Sequence, residues 1–367
     1  MRIAYGVHGY SRGHATRALS VAQALGRRHE IQVFAGGDAH EILRGHFDVE
    51  HIPTLGFSYR DGRRSNWQTL RHNWPRLLEL ATGGPSVRAL RERLQHFQPD
   101  AIISDAEPWT QAAGRALGVP RIAFDHFGIL VHCDVRLPLV DWFKGLFDRC
   151  AYRWLMRAPE RVLVSSFFKA AARRPGVDVI GPIVREEVRR QLPAHGNHVL
   201  AYFNQGSAQL SPSVLDALHG AGTRVLLYGT GRTGDSANIS FRPAGVAGFL
   251  EDLASCRAVV CTAGNQLVGE AMVLGKPLLV VPESTVEQRL NAREVVALGI
   301  GEQVAMHRLS APVIRDFLNR VDAYAERCRS QAHDGRAQAV EILERWMAEL
   351  GESTSRLRVG VRQRVPA

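Results

Sequence analysis

Lysine is nearly absent from this 367-residue chain; Lys144, Lys169 and Lys276 are its only three. The net charge of +10 is therefore arginine charge. Such a surplus points to an anionic partner, whether nucleic acid, a nucleotide substrate or an anionic membrane. No helix-turn-helix, zinc finger or aromatic RNA-binding signature accompanies it, so no nucleic-acid partner is expected. Cysteine is scarce. Cys133, Cys150, Cys256, Cys261 and Cys328 are scattered, with no CxxC pair or Cys/His cluster, which excludes a zinc site or disulfide framework. They read as reduced, mostly buried thiols. Aromatics make up only 7% of residues. No run of about 18 apolar residues exists, so no transmembrane helix is expected. The first residues, Met1 to Gly6, enter a strand-like run at once, without a signal peptide's apolar region and cleavage site, and predict a cytoplasmic protein.

What is there reads as α/β. Short apolar, β-branched runs alternate with longer helical stretches, in the manner of parallel strands covered on both faces. In the first half the strands fall at 2–6, 31–35, 101–105, 121–125 and 162–165, with helices at 15–28, 39–45, 87–96 and 109–117. The pattern restarts with strands at 198–203, 224–228, 258–261 and 278–281, and helices at 213–219, 246–254, 267–274 and 287–298. Gly181-Pro182 breaks structure between the halves. The expected architecture is two Rossmann-like, doubly wound parallel-sheet domains facing each other across a cleft. Their expected limits are 1–182 and 183–335, followed by a closing C-terminal helix at 336–351 and a basic, solvated tail at 352–367. A single long helical stretch is expected over 311–350.

In open parallel sheets ligands sit beyond the carboxyl ends of strands, so the residues just after strands carry the information. The first strand runs into Gly9-Tyr-Ser-Arg-Gly13-His14-Ala-Thr-Arg17. Gly9 and Gly13 let the backbone bend and approach a ligand. A neutral His14 at the helix mouth can take a proton from a hydroxyl nucleophile; the other reading is a helix-start histidine bonded only to its own loop. His8, on the same loop, reads more readily as structural. Arg17 reads either as a contact to an anionic substrate on the acceptor side or as part of a solvated face. Asp105 ends the 101–105 strand. A carboxylate beside an imidazole fixes its tautomer and stabilises the imidazolium, but Asp105 reads equally as the cap of the next helix. His126 follows a third strand end and is a candidate acceptor contact.

The densest signal is Thr262-Ala-Gly264-Asn265-Gln266, where a strand turns into a helix whose first amides can hold a pyrophosphate. Glu270, one turn in, is placed for ribose hydroxyls. Glu287 and Gln288, past the next strand end, suit sugar hydroxyls. GxGxxG is absent, which weakens a dinucleotide reading.

These residues resemble the donor-binding region of GT-B glycosyltransferases, in the branch that contains the bacterial peptidoglycan N-acetylglucosaminyltransferase and the UDP-glycosyltransferases. The resemblance covers most of 1–335. It implies a diphosphate site at Gly264, Asn265 and Gln266, a ribose ligand in Glu270, and sugar ligands in Glu287 and Gln288. It further implies base contacts from Phe249 and Leu250, and a donor role for Gly13. The Gly-x-x-x-Gly-His-x-x-Arg loop resembles the same branch's acceptor loop, whose His is the base, and Asp105 matches its partner carboxylate. Many UDP-glycosyltransferases carry a phosphate-binding His where this chain has Thr262. Phosphate binding would then lean on backbone amides, with Ser207 or Arg232 in support.

The implied activity is inverting, metal-independent and cofactor-free transfer of a sugar from a UDP- or TDP-sugar to a hydroxyl of a glycan, lipid or natural product. Water as acceptor (a nucleotide-sugar hydrolase), an epimerase of the same fold, and a non-catalytic binding protein stand as rivals. The segment 137–157 interleaves Trp142, Phe143, Phe147 and Trp154 with Lys144, Arg149, Arg153 and Arg157. It reads either as an interfacial helix at the inner face of the membrane, with Trp142 on the acceptor side, or as a core helix with basic outer residues. Tyr59–Trp74 reads as a second basic, aromatic loop.

Overall fold

In the computed structural model the apolar runs pair as two parallel sheets, one in each of two units. The structure describes residues 1–10, 12–60, 63–203, 206, 209–243 and 245–362. In chain order the first unit begins with β1 (Arg2–Val7), α1 (Arg12–Leu25), β2 (Glu30–Ala35), α2 (Gly37–Leu43) and β3 (Val49–His51). A small hairpin of β4 (Tyr59–Arg60) and β5 (Arg63–Arg64) precedes α3 (Asn66–Thr82) and α4 (Pro85–Phe97). Then come β6 (Ala101–Asp105), α5 (Pro108–Leu117), β7 (Arg121–Asp125), α6 (Gly128–His132), α7 (Leu139–Met156), β8 (Arg161–Ser165) and β9 (Val177–Ile180).

The sheet order is β3-β2-β1-β6-β7-β8-β9. The chain leaves β1 for β2 on one side and later returns to β6 on the other. The place between β1 and β6 is therefore the topological switch point, where open α/β sheets bind ligands. There Val7, the last residue of β1, pairs in register with Asp105. Every residue of β6 and β7 is buried, as their largely apolar runs predict for strands covered by helices on both faces.

The second unit contains α8 (Glu186–Arg189), β10 (His198–Tyr202), α9 (Pro212–His219), β11 (Arg224–Tyr228), β12 (Gly234–Ser236), β13 (Ile239–Phe241) and α10 (Val246–Ser255). It continues with β14 (Ala258–Cys261), α11 (Asn265–Val273), β15 (Leu278–Val280), α12 (Val286–Ala297), β16 (Gly301–Gln303), α13 (Ala311–Leu318) and α14 (Val321–Gln331); α15 (Arg336–Arg362) ends the chain. Its order is β12-β13-β11-β10-β14-β15-β16, parallel except for the β12–β13 pair. Its switch point lies between β10 and β14, where Tyr202 pairs with Cys261. The core of this unit packs Val199, Phe203, Val260, Leu279 and Phe317 with no exposed surface among them.

The units divide differently from the expected limits. One comprises Met1–Gly56, Arg71–Ile180 and Gly335–Ala367; the other comprises Phe57–Leu70 and Gly181–Asp334. The final helix belongs with the first unit because its Leu343, Trp346 and Met347 are buried and its Arg336 donates to the Ser20 carbonyl of α1. The stretch 311–350 is three helices rather than one. Helical backbone continues to Arg362, through most of the segment expected as a solvated tail. The Tyr59–Trp74 segment, expected as a loop, holds the hairpin and the first turns of α3.

Candidate functional site

In the first unit the switch point gathers His14, Arg17 and Asp105. Helix α1 begins at Arg12, three residues earlier than expected, so Gly13 and His14 lie in its first turn rather than in a preceding loop. The approach to that turn is tight. A Cβ on Gly9 would lie 2.2 Å from the Gly36 carbonyl oxygen, and Asp38 N–H donates to the Gly9 carbonyl. His14 Nδ1 lies 2.7 Å from Asp105 Oδ1. With its proton on Nδ1 the ring donates to that carboxylate, which leaves Nε2 as the basic nitrogen; Arg17 Nη2 lies 3.1 Å from the same Nδ1. Arg17 clamps the same carboxylate, Nε at 2.8 Å from Oδ2 and Nη2 at 2.6 Å from Oδ1.

Arg17 is thus turned inward and buried, where the sequence offered an acceptor contact or a solvated face. It positions Asp105. Burial pushes the Asp105 carboxyl up, but Arg17 and His14 outweigh burial and hold it below the ordinary carboxylate range. Asp105 stays ionised as a result.

Asp105 is free for this because a neighbour caps α5. Glu107, not Asp105, is the cap, accepting from Trp109 N at 2.5 Å and Thr110 N at 2.8 Å. The chain reaches it through Ala106 in the left-handed region at φ 50°, a conformation that costs a non-glycine residue about 1 kcal/mol or more. Burial pushes Glu107 up to about 7, against the hydrogen bonds from Thr110 and Trp109. His8 stacks edge-on against His14 with ring centres 5.1 Å apart. Burial, then the neighbouring His14, pushes His8 down to about 3 and keeps it neutral. His126 is buried, with its Nδ1 2.9 Å from the Ser165 carbonyl oxygen. Trp142 stands on the exposed side of α7.

The second unit builds its site at the start of α11. Gly264 is the residue before the helix and itself brings no side chain to cap it. A Cβ on Gly264 would meet nothing within 4 Å among the described residues, so open space lies beside it there. Gly269, one turn later, is packed hard: its Cβ would lie 2.5 Å from Pro182 Cβ. Asn265 is buried. Gln266 Nε2 donates to the Ile183 carbonyl at 2.7 Å and to Glu270 Oε1 at 2.8 Å.

Glu270 is buried and already held. Arg185 grips it with both arms of its guanidinium, Nε to Oε1 at 2.7 Å and Nη2 to Oε2 at 2.6 Å. Sequence reading passed over Arg185. Its partner is 85 residues away, and only its place just past Gly181-Pro182 marked it. Arg185 also lies 6.0 Å from the centre of the Phe249 ring, and Phe249 stands edge-on to Tyr202 and Tyr228. Phe249, Arg185, Glu270 and Gln266 are therefore one connected cluster. Leu250 is buried in the core, which leaves its backbone as the only part able to touch a base.

The α12 residues tie back to the same turn. Asn291 Nδ2 donates to the Ala263 carbonyl at 2.9 Å and to Glu287 Oε1 at 3.3 Å. Gln288 Oε1 accepts from Glu283 N at 2.9 Å. Glu283 itself, which the sequence did not single out, accepts from Tyr59 Oη and Gln209 Nε2. Ser207 lies outside the described residues. Arg232 is exposed. Among the described residues no group of three or more His, Cys, Asp or Glu is arranged to hold a metal ion, and no helix is long and apolar enough to cross a membrane.

The family model for glycosyl transferase family 1 matches residues 1–322. A UDP-N-acetylglucosamine–N-acetylmuramyl-(pentapeptide) pyrophosphoryl-undecaprenol N-acetylglucosamine transferase of Histophilus somni is 26% identical over 263 residues, 65% of this chain and 68% of that one. Its namesake in Sinorhizobium fredii is 30% identical over 112 residues; that match takes in 28% of this chain and only 30% of the relative's length. Among solved structures, Phytolacca americana UGT2, complexed with UDP-2-fluoro-glucose and pterostilbene, superposes with a TM-score of 0.65 at 15% identity, over 95% of this chain and 99% of that one. The two doubly wound sheets are the GT-B fold, and the chain belongs to glycosyl transferase family 1.

Proposed function

We propose that the chain transfers a sugar from a UDP- or TDP-sugar to an acceptor hydroxyl with inversion at the anomeric carbon. The observation that carries this reading is the 2.7 Å contact between His14 Nδ1 and the buried Asp105 carboxylate at the switch point of the first sheet. His14 Nε2 takes the acceptor's hydroxyl proton. The acceptor oxygen forms the new bond to the anomeric carbon as the bond to the diphosphate oxygen breaks. The nucleoside diphosphate leaves with the electron pair. Asp105 and Arg17 are positioning residues, and the carboxylate stabilises the imidazolium while it exists.

The donor belongs to the second unit in this reading. The amides at the start of α11 bind the diphosphate and meet the charge that grows on it as it leaves, with no metal or other cofactor assigned a part. The open space beside Gly264 admits the phosphates. Glu270 takes the ribose hydroxyls and Phe249 flanks the base, which requires Arg185 to share or give up its hold on Glu270. Glu287 and Gln288 face the sugar. The ligand of the Phytolacca neighbour, UDP-2-fluoro-glucose, and the donor in the names of the Histophilus and Sinorhizobium relatives support a uridine nucleotide.

The test is His14→Ala assayed for transfer, for sugar release without acceptor, and for nucleotide affinity. The expected result is a kcat lower by about 10²- to 10⁴-fold with UDP affinity unchanged. Loss of UDP affinity with the same substitution would make His14 a donor or structural residue. Sugar release at full rate without acceptor would replace transfer with hydrolysis.

A further inference from the structure

Helix α7 is inverted relative to an ordinary surface helix. Its inward side carries Asp141, Gly145, Tyr152 and Met156, all buried. Its outward side carries Leu139, Val140, Phe143 and Phe147, exposed by 90%, 86%, 79% and 71%, with Trp142, Leu146 and Trp154 beside them. The core-helix reading of this segment is therefore overturned: Trp142, Phe143, Phe147 and Trp154 face out. A surface helix normally turns its apolar stripe inward and its charge outward, and a contiguous exposed patch of large apolar side chains marks an interaction site. The acidic residues of the helix do not join this face; Asp141 is buried and Asp148 half-buried. Arg157, just past α7, donates to the Leu80 carbonyl of α3; α3 in turn exposes Trp74, Leu78 and Arg71.

The far end of α7 is strongly basic. Arg149 and Arg153 lie close enough to Arg173 to act on one another's charge: burial, then Arg173 and Arg153, holds Arg149 below its ordinary range. Half-buried His132 is pushed down to about 4 by burial, then by Arg174, Arg153 and Arg173. Exposed Asp134 lies 3.7 Å from Arg173, so the cluster is partly offset but stays net basic. A large apolar face next to net guanidinium charge is the composition that seats a helix in an anionic bilayer surface. It suits a second copy poorly, because self-association through α7 would bring two such clusters together on chains of net charge +10.

We propose that the exposed face of α7, with the arginine cluster at its C-terminal end, docks the chain on an anionic lipid surface. The inference does not depend on the transferase reading, since vesicle binding is measured without donor or acceptor. The experiment is co-sedimentation of the full chain with vesicles of phosphatidylglycerol and phosphatidylcholine, against vesicles of phosphatidylcholine alone, at low and high salt. Partition onto the anionic vesicles roughly tenfold above the neutral ones is expected, falling with salt. Phe143→Ser/Phe147→Ser is expected to lower it about tenfold or more with an unchanged melting temperature, because both side chains are already in water. Arg153→Gln/Arg173→Gln is expected to remove the preference for anionic lipid.

Five results would overturn the proposal, the fifth being displacement by phosphate. The first four are no partition onto anionic vesicles at low salt, equal partition onto both vesicles, binding unaffected by either pair of substitutions, and a dimer in sedimentation velocity that Phe143→Ser dissociates. Inorganic phosphate added at matched ionic strength separates lipid from a free anion. If phosphate alone displaces the chain, the basic cluster is an anion site and the bilayer reading fails.

Discussion

His14 and Asp105 are 91 residues apart in sequence and 2.7 Å apart in space, joined because β1 and β6 are neighbours and end in register. The carboxylate between them is shared with Arg17, and that sharing has a stability consequence. Asp105→Asn leaves a buried guanidinium without its counter-charge. Breaking such a pair from one side costs about 3–5 kcal/mol, and urea denaturation is the measurement. Pairing the change with Arg17→Met should recover most of the loss, since both charges then leave the interior together.

The pH dependence of stability has two opposed contributions from this corner of the fold. Glu107 is raised from 4.5 to about 7, so its contribution is full below pH 4.5 and is lost as pH rises through 7. His8 is lowered from 6.5 to about 3, so its contribution is full above pH 6.5 and is lost as pH falls toward 3. Glu107→Gln keeps an oxygen to cap α5 and should remove the decline between pH 4.5 and 7. His8→Gln should weaken the acid-side loss. Melting temperatures of the two variants across pH 4 to 8 check both signs; identical curves for wild type and variants would contradict them.

Two glycines in one helix should separate folding from binding. Gly269→Ala drives a methyl into Pro182 and should destabilise the second unit by about 1–3 kcal/mol, as overpacking does. Gly264→Ala meets nothing among the described residues at a φ of −75° that alanine tolerates. It should leave the melting temperature in place and weaken nucleoside diphosphate binding by filling the space in front of the α11 amides. Thermal melts and calorimetric titration with UDP read the two effects.

Arg185 and Glu270 should be energetically coupled. Each single replacement strands a buried charge, so the double variant should lose less than the sum, with a coupling of about 0.5–3 kcal/mol in a double-mutant cycle. Glu270→Gln should weaken UDP about tenfold, the worth of one lost hydrogen bond to a charged acceptor. A variant that binds UDP as wild type does would remove Glu270 from the ribose.

Sequence periodicity read well wherever one element dominates its neighbourhood. The runs at 101–105, 121–125 and 258–261 became strands at the same residues because each carries a compact apolar stretch, at 101–103, 122–124 and 258–261. Short edge strands escaped it: β3 and β16 have three residues each, too few for a period to show. The residues of the candidate site were singled out from their place at a strand end, as for Asp105, or at the turn into the next helix, as for His14 and Gly264. The site was not legible where long-range pairing decides, so Arg17 turned inward and Arg185 took Glu270 without any local signal. Glu107 could have been read as the cap from its place before Pro108, since proline favours the first helical position.

The most direct test of the central claim is calorimetric titration of UDP and TDP, with chelator present, into the wild-type chain and Gly264→Ala. The account predicts that at least one of the two nucleotides binds the wild type, and that Gly264→Ala loses most of that affinity while melting at the same temperature. Binding of neither nucleotide to the wild type, or equal binding to both proteins, would contradict the donor site at the start of α11.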